Sequence, residues 1–333
     1  MRQTKLGKDG PEISQLGIGA MSFAGIYGDA TVEASHEVLD TCVETGVSHI
    51  DTAAAYGDGR SEEIIGQWLA NRPGARDHVT IATKAAFLKE PDADGSKISN
   101  APDYMEATLD ESLRRLGVET VDLFYAHRLD SRRPVEDIAG EMGELVKKGK
   151  ATAIGFSEIA PSTLRRAVTS HPVAAVQSEY SLSTRYPDLG LRQACSELGV
   201  ALVAFSPVGR AFLTDRPFAL SDLDAVPFLK ANPRFQQPNF DANIRITDDF
   251  RTLAADMGEP AAALAIAWLI AQGDHVIPIP GTKSVPHLKE LVRGTELTLS
   301  ADDLAAINRA LPVGWAHGDR YSAAQWVGPE KYC

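Results

Sequence analysis

Short apolar runs alternate with longer stretches of helical period along almost the whole chain. This alternation is typical of parallel strand–helix units, in which each buried strand is followed by an amphipathic helix. Eight such runs predict strands at 16–19, 47–51, 79–84, 121–127, 152–157, 174–179, 200–206 and 276–280. Because nothing of linker-like composition divides residues 1–333, the pattern favours a single α/β domain, a (β/α)8 TIM barrel, over two domains.

Helix boundaries between these runs carry recognisable start and stop signals. Pro134 stands at the favoured first position of a helix, and Ser300 with Asp303 resembles a capping box. Three glycines, each able to take the left-handed conformation that ends a helix, come just before an apolar strand: Gly46, Gly117 and Gly199. These signals support the alternating assignment.

Two segments fall outside the repeating units. Residues 2–6 and 11–15 flank Asp9-Gly10, a pair that suits a tight turn, so we expect a β-hairpin over 2–15 that closes the bottom of the barrel. Residues 207–247 hold many Pro, Phe, Asn and Asp residues without sustained periodicity. A loop of this length in a compact domain is usually functional, and we expect it to close on a bound cofactor, with a static surface excursion as the alternative.

Charge and cysteine content exclude several function classes. Acidic residues exceed basic ones to give a formal net charge of −12, which disfavours nucleic-acid and membrane-surface partners. The three cysteines have no zinc-like spacing, so we expect no metal site, and they fit a reducing cytoplasm. The N-terminus lacks the apolar core of a signal peptide, and we expect the mature chain to be this chain, in the cytoplasm. Its oligomeric state stays open.

Three consecutive predicted strands end in an ionisable side chain. Asp51 ends the second strand, Lys84 the third and His127 the fourth. The C-terminal ends of parallel strands meet at the barrel mouth, where catalytic residues of such barrels lie. Tyr56 follows Asp51 closely enough to fold back over that mouth. We therefore expect these four side chains to form one catalytic group.

The predicted group suits proton donation by a phenol. A tyrosine has an ordinary pKa of about 10, but an ammonium about 4 Å away at an effective dielectric near 20 lowers it by roughly three units. Lys84 would thereby make Tyr56 a usable acid, Asp51 would hold Lys84 charged, and His127 would hydrogen-bond a substrate oxygen.

Several motifs together resemble the aldo-keto reductase superfamily over nearly the entire chain. The stretch from Gly46 through Asp51 and Tyr56-Gly57 to Gly66 is similar to its signature, and further landmarks follow in the family's order. These are Ile81–Lys84, His127-Arg128, Ile154–Ser157, Val176-Gln177, Ala204–Pro207 and Ile279–Lys283. The likeness is greatest to the bacterial, fungal and plant branch that includes pyridoxal reductases. It implies a catalytic tetrad of Asp51, Tyr56, Lys84 and His127, and NADPH bound across the mouth, with NAD(H) as the alternative.

The same resemblance assigns cofactor and substrate contacts. Ser157 and Gln177 would hold the nicotinamide carboxamide, Phe205 would stack on its ring, and Lys283 would bind the 2′-phosphate. The remaining cofactor contacts would be Ala20, Met21, Glu158, Ser206, Pro207, Val208, Gly209, Arg210, Gly281, Thr282, His287 and Glu290, with Arg210 gripping the pyrophosphate. Met21, Phe23, Tyr27 and Phe87 would shape the substrate pocket.

Some positions depart from the family's pattern. Glu158 stands where many members carry Asn, Phe205 where Tyr is common, and Leu291 where Asn often contacts adenine. There is no Gly-x-Gly-x-x-Gly fingerprint after a predicted strand, which argues against a Rossmann fold.

The resemblance implies an NADPH-dependent carbonyl reductase acting on small-molecule aldehydes or ketones. Its reverse, NAD(P)+-dependent dehydrogenation of an alcohol or sugar, stays open. The related potassium-channel β-subunits make a redox-sensing regulatory subunit the second hypothesis. We rank it lower because no extra segment precedes the predicted hairpin.

Overall fold

The computed structural model describes residues 1–332 and contains eight parallel strands arranged in chain order around a barrel. The two sheets comprise β1 Gln3–Lys5, β2 Glu12–Ser14, β3 Gly17–Gly19, β4 His49–Asp51, β5 Thr80–Ala85, β6 Leu123–Ala126, β7 Ile154–Ser157, β8 Val173–Glu179, β9 Ala201–Phe205 and β10 Val276–Pro278. Strands β3 to β10 pair with their sequence neighbours, and the Gly19 amide donates to the Pro280 carbonyl at 2.9 Å, joining the last strand to the first. The (β/α)8 barrel prediction is confirmed, and all eight predicted strands are present.

Helices cover the outside of the barrel. They are α1 Val32–Thr45, α2 Arg60–Ala70, α3 Pro102–Leu116, α4 Val135–Lys147, α5 Pro161–Ala167, α6 Leu191–Leu198, α7 Pro227–Lys230, α8 Asn239–Asp256, α9 Ala261–Ile270, α10 Val285–Arg293 and α11 Ala301–Ala310. Their predicted end signals are confirmed: Gly46, Gly117 and Gly199 have φ of 79°, 69° and 66°, and Ser300 with Asp303 forms a reciprocal capping box. The apolar helix faces and the outer strand faces form the main core.

The N-terminal hairpin closes the bottom of the barrel as predicted. Strands β1 and β2 pair antiparallel, and the fully buried Leu6 and Ile13 pack among inward-facing strand residues such as Val203. The turn lies at Lys8 and Asp9 as predicted, where the Gly10 amide donates to the Gly7 carbonyl at 3.3 Å, and Gly7, with φ of 77°, takes the left-handed conformation. A Cβ on Gly7 would also lie 2.6 Å from the Ala174 carbonyl oxygen, so both the backbone angle and the close approach require glycine.

Residues 207–247 are more regular than the sequence indicated. The segment contains α7, the first half of α8 and short 3-10 turns, and its apolar side chains form a small core of their own. In that core the Phe212 and Phe235 rings stack with centroids 4.5 Å apart. The structure therefore corrects the expectation of an irregular loop: α7 and the 3-10 turns are too short to show a period, and α8 begins only at Asn239, near the end of the segment.

The chain after α11 returns to the mouth of the barrel. Trp315 Nε1 donates to the Leu182 carbonyl at 2.8 Å. Near the end of the chain, Glu330 accepts hydrogen bonds from the Ala160 amide and from Thr163 Oγ. These contacts fix an otherwise irregular segment against the strand ends.

Within residues 1–332, no single helix has the length and apolarity to cross a membrane. Only α8 and α9 taken together meet that criterion, by length and composition, and they meet at an angle of 89°.

Candidate active site

The four residues of the predicted tetrad lie together at the C-terminal ends of β4, β5 and β6. Lys84 Nζ donates to the Asp51 carboxylate, to the Thr52 carbonyl at 2.7 Å and to Tyr56 Oη at 3.3 Å. Lys84 and Asp51 are buried, while Tyr56 reaches the cavity above them. The His127 ring lies edge-on to the Tyr56 ring, with centroids 5.7 Å apart. This geometry lets the ammonium act directly on the phenol.

Lys84 lowers the pKa of Tyr56 as predicted, but the net shift in the structure is upward and not downward. Burial raises the pKa of Tyr56 above its ordinary 10.0 by more than the Lys84 ammonium lowers it, and the Asp51 carboxylate raises it further. Burial acts against the charge of Lys84 too, but Asp51 and Tyr56 together keep the pKa of Lys84 above its usual range. Tyr56 is therefore a protonated donor at neutral pH, held next to a charged ammonium.

His127 is a neutral hydrogen-bonding group at this site. Burial, followed by the cations Arg128 and Lys84, holds the pKa of its imidazole well below the usual 6.5. Its Nδ1 is buried without a hydrogen-bond partner, and its ring packs edge-on to Phe87 with centroids 4.9 Å apart. A neutral imidazole can orient a carbonyl oxygen without competing with Tyr56 as the acid.

A cavity of about 650 Å³ extends from the tetrad along the barrel mouth to α10. Its lining includes most of the predicted site residues: Met21, Tyr27, Asp51, Tyr56, Phe87, His127, Ser157, Gln177, Phe205, Ser206, Pro207, Val208, Arg210, Gly281, Thr282, Lys283, His287 and Glu290. Most of the predicted catalytic, cofactor and substrate positions thus line one cavity. Gln177 Nε2 also donates to Asp51 Oδ2 at 2.7 Å, which ties the cofactor side of the cavity to the tetrad.

Four predicted contact residues do not line this cavity. Ala20 is buried, and its carbonyl accepts a hydrogen bond from Ser61 Oγ. Phe23 is fully buried in the main core, so its assignment to the substrate pocket is corrected. Gly209 is buried too, where a Cβ would meet Ser183 Oγ at 3.0 Å.

The fourth, Glu158, forms an ion pair in place of a cofactor contact. Its carboxylate accepts hydrogen bonds from Arg320 Nη2 and, at 2.8 Å, from the Glu179 amide. The residue is held at φ of 59°, a left-handed conformation that Asn takes more readily than Glu. Glu158, which stands where many family members carry Asn, is therefore paired with a buried arginine, Arg320, from the C-terminal segment.

Arg210 also has partners other than those predicted. Its Nη2 donates to Glu179 at 2.8 Å, and its Nη1 donates to the Arg320 carbonyl at 2.8 Å. Glu179 is shared with Arg234, whose Nη1 lies 3.4 Å from its carboxylate. Each terminal nitrogen of Arg210 thus already makes one hydrogen bond at the mouth, and the pyrophosphate contact expected of Arg210 stays a prediction.

Lys283 bridges two loops over the far end of the cavity. Its Nζ donates to the carbonyl oxygens of Tyr27 at 3.0 Å and Asp29 at 2.8 Å. An ammonium has three donors, so one remains for a ligand. Burial lowers the pKa of Lys283, with Asp29 opposing the change.

Sequence reasoning missed much of the substrate side of the cavity. Tyr321, Gln325 and Val327 come from the C-terminal segment, and Phe218 and Phe228 come from the segment after β9. Arg128 and Arg216 add positive charge to the lining. The aromatic residues near the C-terminus were the available signal, but nothing in their spacing shows that the chain turns back to the mouth.

The residues at the far end of this cavity fit a nicotinamide dinucleotide. Arg210 and Ala211 line the cavity, and Arg210 Nε has no hydrogen-bond partner among residues 1–332, so it is free to donate to an anionic group. Lys283 supplies a cation with a donor to spare, and the Phe205 ring lines the cavity at the nicotinamide position implied by the sequence. Within residues 1–332 there is no cluster of three metal-ligating side chains.

Comparison with known proteins agrees with the fold. The family model described as "Aldo/keto reductase family" matches residues 15–312. The NADP(+) aldo-keto reductase yakc of Schizosaccharomyces pombe is 36% identical over 95% of this chain and 93% of its own. The probable aldo-keto reductase 1 of Glycine max is 38% identical over 96% of this chain and 92% of its own.

Solved structures show the same architecture. A glycerol dehydrogenase of Gluconobacter oxydans superposes with a TM-score of 0.79 at 26% identity, covering 93% of this chain and 94% of the other. The chain therefore belongs to the aldo/keto reductase family. It is an NAD(P)H-dependent oxidoreductase acting on CH–OH or C=O groups, and the family supports NADP-dependent carbonyl reduction in general.

Proposed function

We propose that this enzyme reduces small-molecule aldehydes or ketones to alcohols with NADPH, and that Tyr56 supplies the proton. The contact of 3.3 Å between Lys84 Nζ and Tyr56 Oη carries this proposal, because it places a protonated phenol beside a fixed cation at the cavity wall. A relative whose name includes NADP(+) supports the choice of cofactor.

The chain's own residues prepare the carbonyl group for reduction. NADPH, when bound, supplies the hydride. Tyr56 donates its proton to the carbonyl oxygen as that oxygen gains negative charge, and the Lys84 ammonium stabilises the phenolate that remains. His127, neutral and adjacent, orients the same oxygen. Asp51 keeps Lys84 charged and fixed in place.

Replacement of Tyr56 by Phe tests the proton donor. The variant should lose most carbonyl reduction, about 10²- to 10⁴-fold in kcat, because general acid catalysis is typically worth that much. Binding of NADPH, followed by fluorescence titration, should stay within about twofold of wild type, since the lost hydroxyl does not hold the dinucleotide. Wild-type turnover by the variant would remove Tyr56 from the mechanism.

Lys283 is proposed to set the preference for NADPH over NADH. Its remaining N–H can donate a charge-assisted hydrogen bond to the 2′-phosphate, worth about 1.5–3 kcal/mol, or roughly a ten- to hundredfold preference. Lys283→Met should raise KM for NADPH and leave that for NADH nearly unchanged. Because Lys283 also bridges the loop at Tyr27, a rise in both KM values would assign it a purely structural role. Equal specificity constants in the unmodified enzyme would remove the proposed preference.

Reversal of the reaction, as alcohol oxidation with NADP+, is the second candidate, and the likeness to a glycerol dehydrogenase favours it. A panel of aldehydes including pyridoxal, and of the corresponding alcohols, assayed with both cofactors, measures the two directions. Turnover on any of them would also argue against a purely regulatory subunit.

A further inference from the structure

Four arginines of the described chain are buried, and three of them have a carboxylate partner. Arg210 and Arg234 contact Glu179, and Arg320 contacts Glu158. Arg128 is 9% exposed and has no carboxylate within 4.0 Å among residues 1–332. A buried charge without a counter-charge is destabilising, so its presence calls for a reason.

Arg128 lies at the reactive end of the cavity. It directly follows His127 in sequence, lines the cavity, and its guanidinium carbon lies 5.8 Å from the centroid of the Phe87 ring. Its Nη1 donates to the His127 carbonyl at 2.6 Å and to Ser157 Oγ at 3.2 Å, whereas its Nε has no hydrogen-bond partner. The guanidinium is thus held in place but left with unused hydrogen-bonding capacity.

The C-terminal segment packs tightly against the stem of Arg128. A Cβ on Gly328 would lie 2.8 Å from Arg128 Cβ and 2.9 Å from Arg128 Cγ, so this close approach needs a glycine. The Asn100 side chain additionally donates to the Arg128 carbonyl at 3.1 Å. Both contacts position the guanidinium beside the tetrad.

The cofactor does not account for this charge. The cavity wall proposed for its phosphate groups comprises residues 206–210 and 281–290, whereas Arg128 contacts Ser157, next to the position proposed for the uncharged carboxamide. We therefore expect the anionic partner of Arg128 to be a group on the carbonyl substrate.

We propose that Arg128 is the receptor for an anionic group on the substrate, so that the enzyme prefers carbonyl compounds that carry a carboxylate or a phosphate over neutral ones of the same shape. This inference rests on the proposed carbonyl reduction. A planar guanidinium suits both groups because its donors can engage two oxygens at once.

Matched substrate pairs test the proposal. The carboxylate arm compares 4-carboxybenzaldehyde with 4-formylbenzamide, and the phosphate arm compares pyridoxal 5′-phosphate with pyridoxal. In each arm we expect Arg128→Gln to lower the ratio of charged to neutral kcat/KM by about ten- to hundredfold relative to wild type, mainly through KM. The arm with the larger loss identifies the anionic group. Arg128→Lys, which keeps the charge, should retain part of the preference.

Arg216 provides the matched control. It is an exposed cation that lines the same cavity, so Arg216→Gln removes an equal charge away from His127. We expect this variant to change the ratio by about fivefold or less, as for an exposed charge. An equal change of this ratio in the two variants would show that only the overall positive charge of the cavity matters. An equal fall of kcat/KM for the charged and the neutral substrate in Arg128→Gln would show that Arg128 only supports His127. Either result would overturn the proposal.

Binding measurements separate this inference from the reductase itself. Isothermal titration of the NADPH-loaded wild-type enzyme with benzoate and benzamide requires neither turnover nor a folded variant. Tighter binding of benzoate supports an anion receptor even if every aldehyde fails as a substrate, whereas equal binding of the two overturns it. Turnover without any preference for charged substrates would leave the reductase proposal standing and remove this one.

Discussion

At the scale of single residues, opposing effects on Tyr56 determine how the enzyme should respond to pH. Burial raises the pKa of Tyr56, the Lys84 ammonium lowers it, and the Asp51 carboxylate raises it. Replacing Lys84 by Met removes the lowering effect and leaves Asp51 uncompensated, so the pKa of Tyr56 should rise further above 10.0. Alcohol oxidation needs Tyr56 to accept a proton, and its activity should therefore increase only at higher pH than in wild type.

The pH profile of kcat for NADP+-dependent alcohol oxidation measures this shift. Lys89→Met is the control, since Lys89 is an exposed lysine that pairs with the exposed Asp58 and should leave the profile unchanged. A profile that stays in place, or moves to lower pH in Lys84→Met, would show that Lys84 does not act on Tyr56 through its charge.

The sequence predicted which residues meet at the site better than it predicted their ionisation. Asp51, Lys84 and His127 end successive strands, and the barrel brings strand ends together whatever the loops do. The burial of Tyr56 depends on the three-dimensional packing of the whole mouth, which no local pattern specifies. The unpaired charge of Arg128 was hidden for the same reason, because a missing partner is visible only once every possible partner has been placed.

At the scale of secondary-structure elements, the charged side chains around Glu158 and Glu179 connect four parts of the mouth. Arg320 from the C-terminal segment pairs with Glu158 after β7, while Arg210 and Arg234 from the segment after β9 pair with Glu179 at the end of β8. Strands β7 and β8 were predictable from apolar runs, but the two segments that cover them are not periodic. Their placement depends on these long-range pairs, which single-sequence patterns do not reveal.

Breaking the pair between Glu158 and Arg320 should destabilise the protein strongly. Glu158→Gln leaves the buried Arg320 without its full counter-charge, and removing one partner of a buried pair typically costs about 3–5 kcal/mol. Urea unfolding should show this loss. The surface pair of Arg166 with Glu136 gives the control, because Glu136→Gln should cost less than about 1 kcal/mol. Similar losses in the two variants would mean that the buried pair contributes no more than a surface one.

At the scale of the whole molecule, the residues that act in catalysis and the hairpin that closes the core lie at opposite ends of the barrel. The tetrad and the cavity lie at the C-terminal ends of the strands, whereas the hairpin closes the opposite end. The sequence predicted this polarity, because both the strand-end residues and the hairpin were recognisable. It did not reveal that the C-terminal segment completes the mouth.

Leu6 allows this separation to be tested. Its side chain is fully buried in the inner cluster at the hairpin end, so Leu6→Ala should lower the free energy of unfolding by about 2–5 kcal/mol through lost contacts and the cavity left behind. Below the unfolding transition, kcat and KM should stay within about twofold of wild type, since the barrel lies between Leu6 and the tetrad. Leu189→Ala makes the same change at a position that is 59% exposed and should cost less than about 0.5 kcal/mol in urea unfolding. A tenfold fall in kcat for Leu6→Ala while the enzyme remains folded would show that the bottom of the barrel shapes the active site directly.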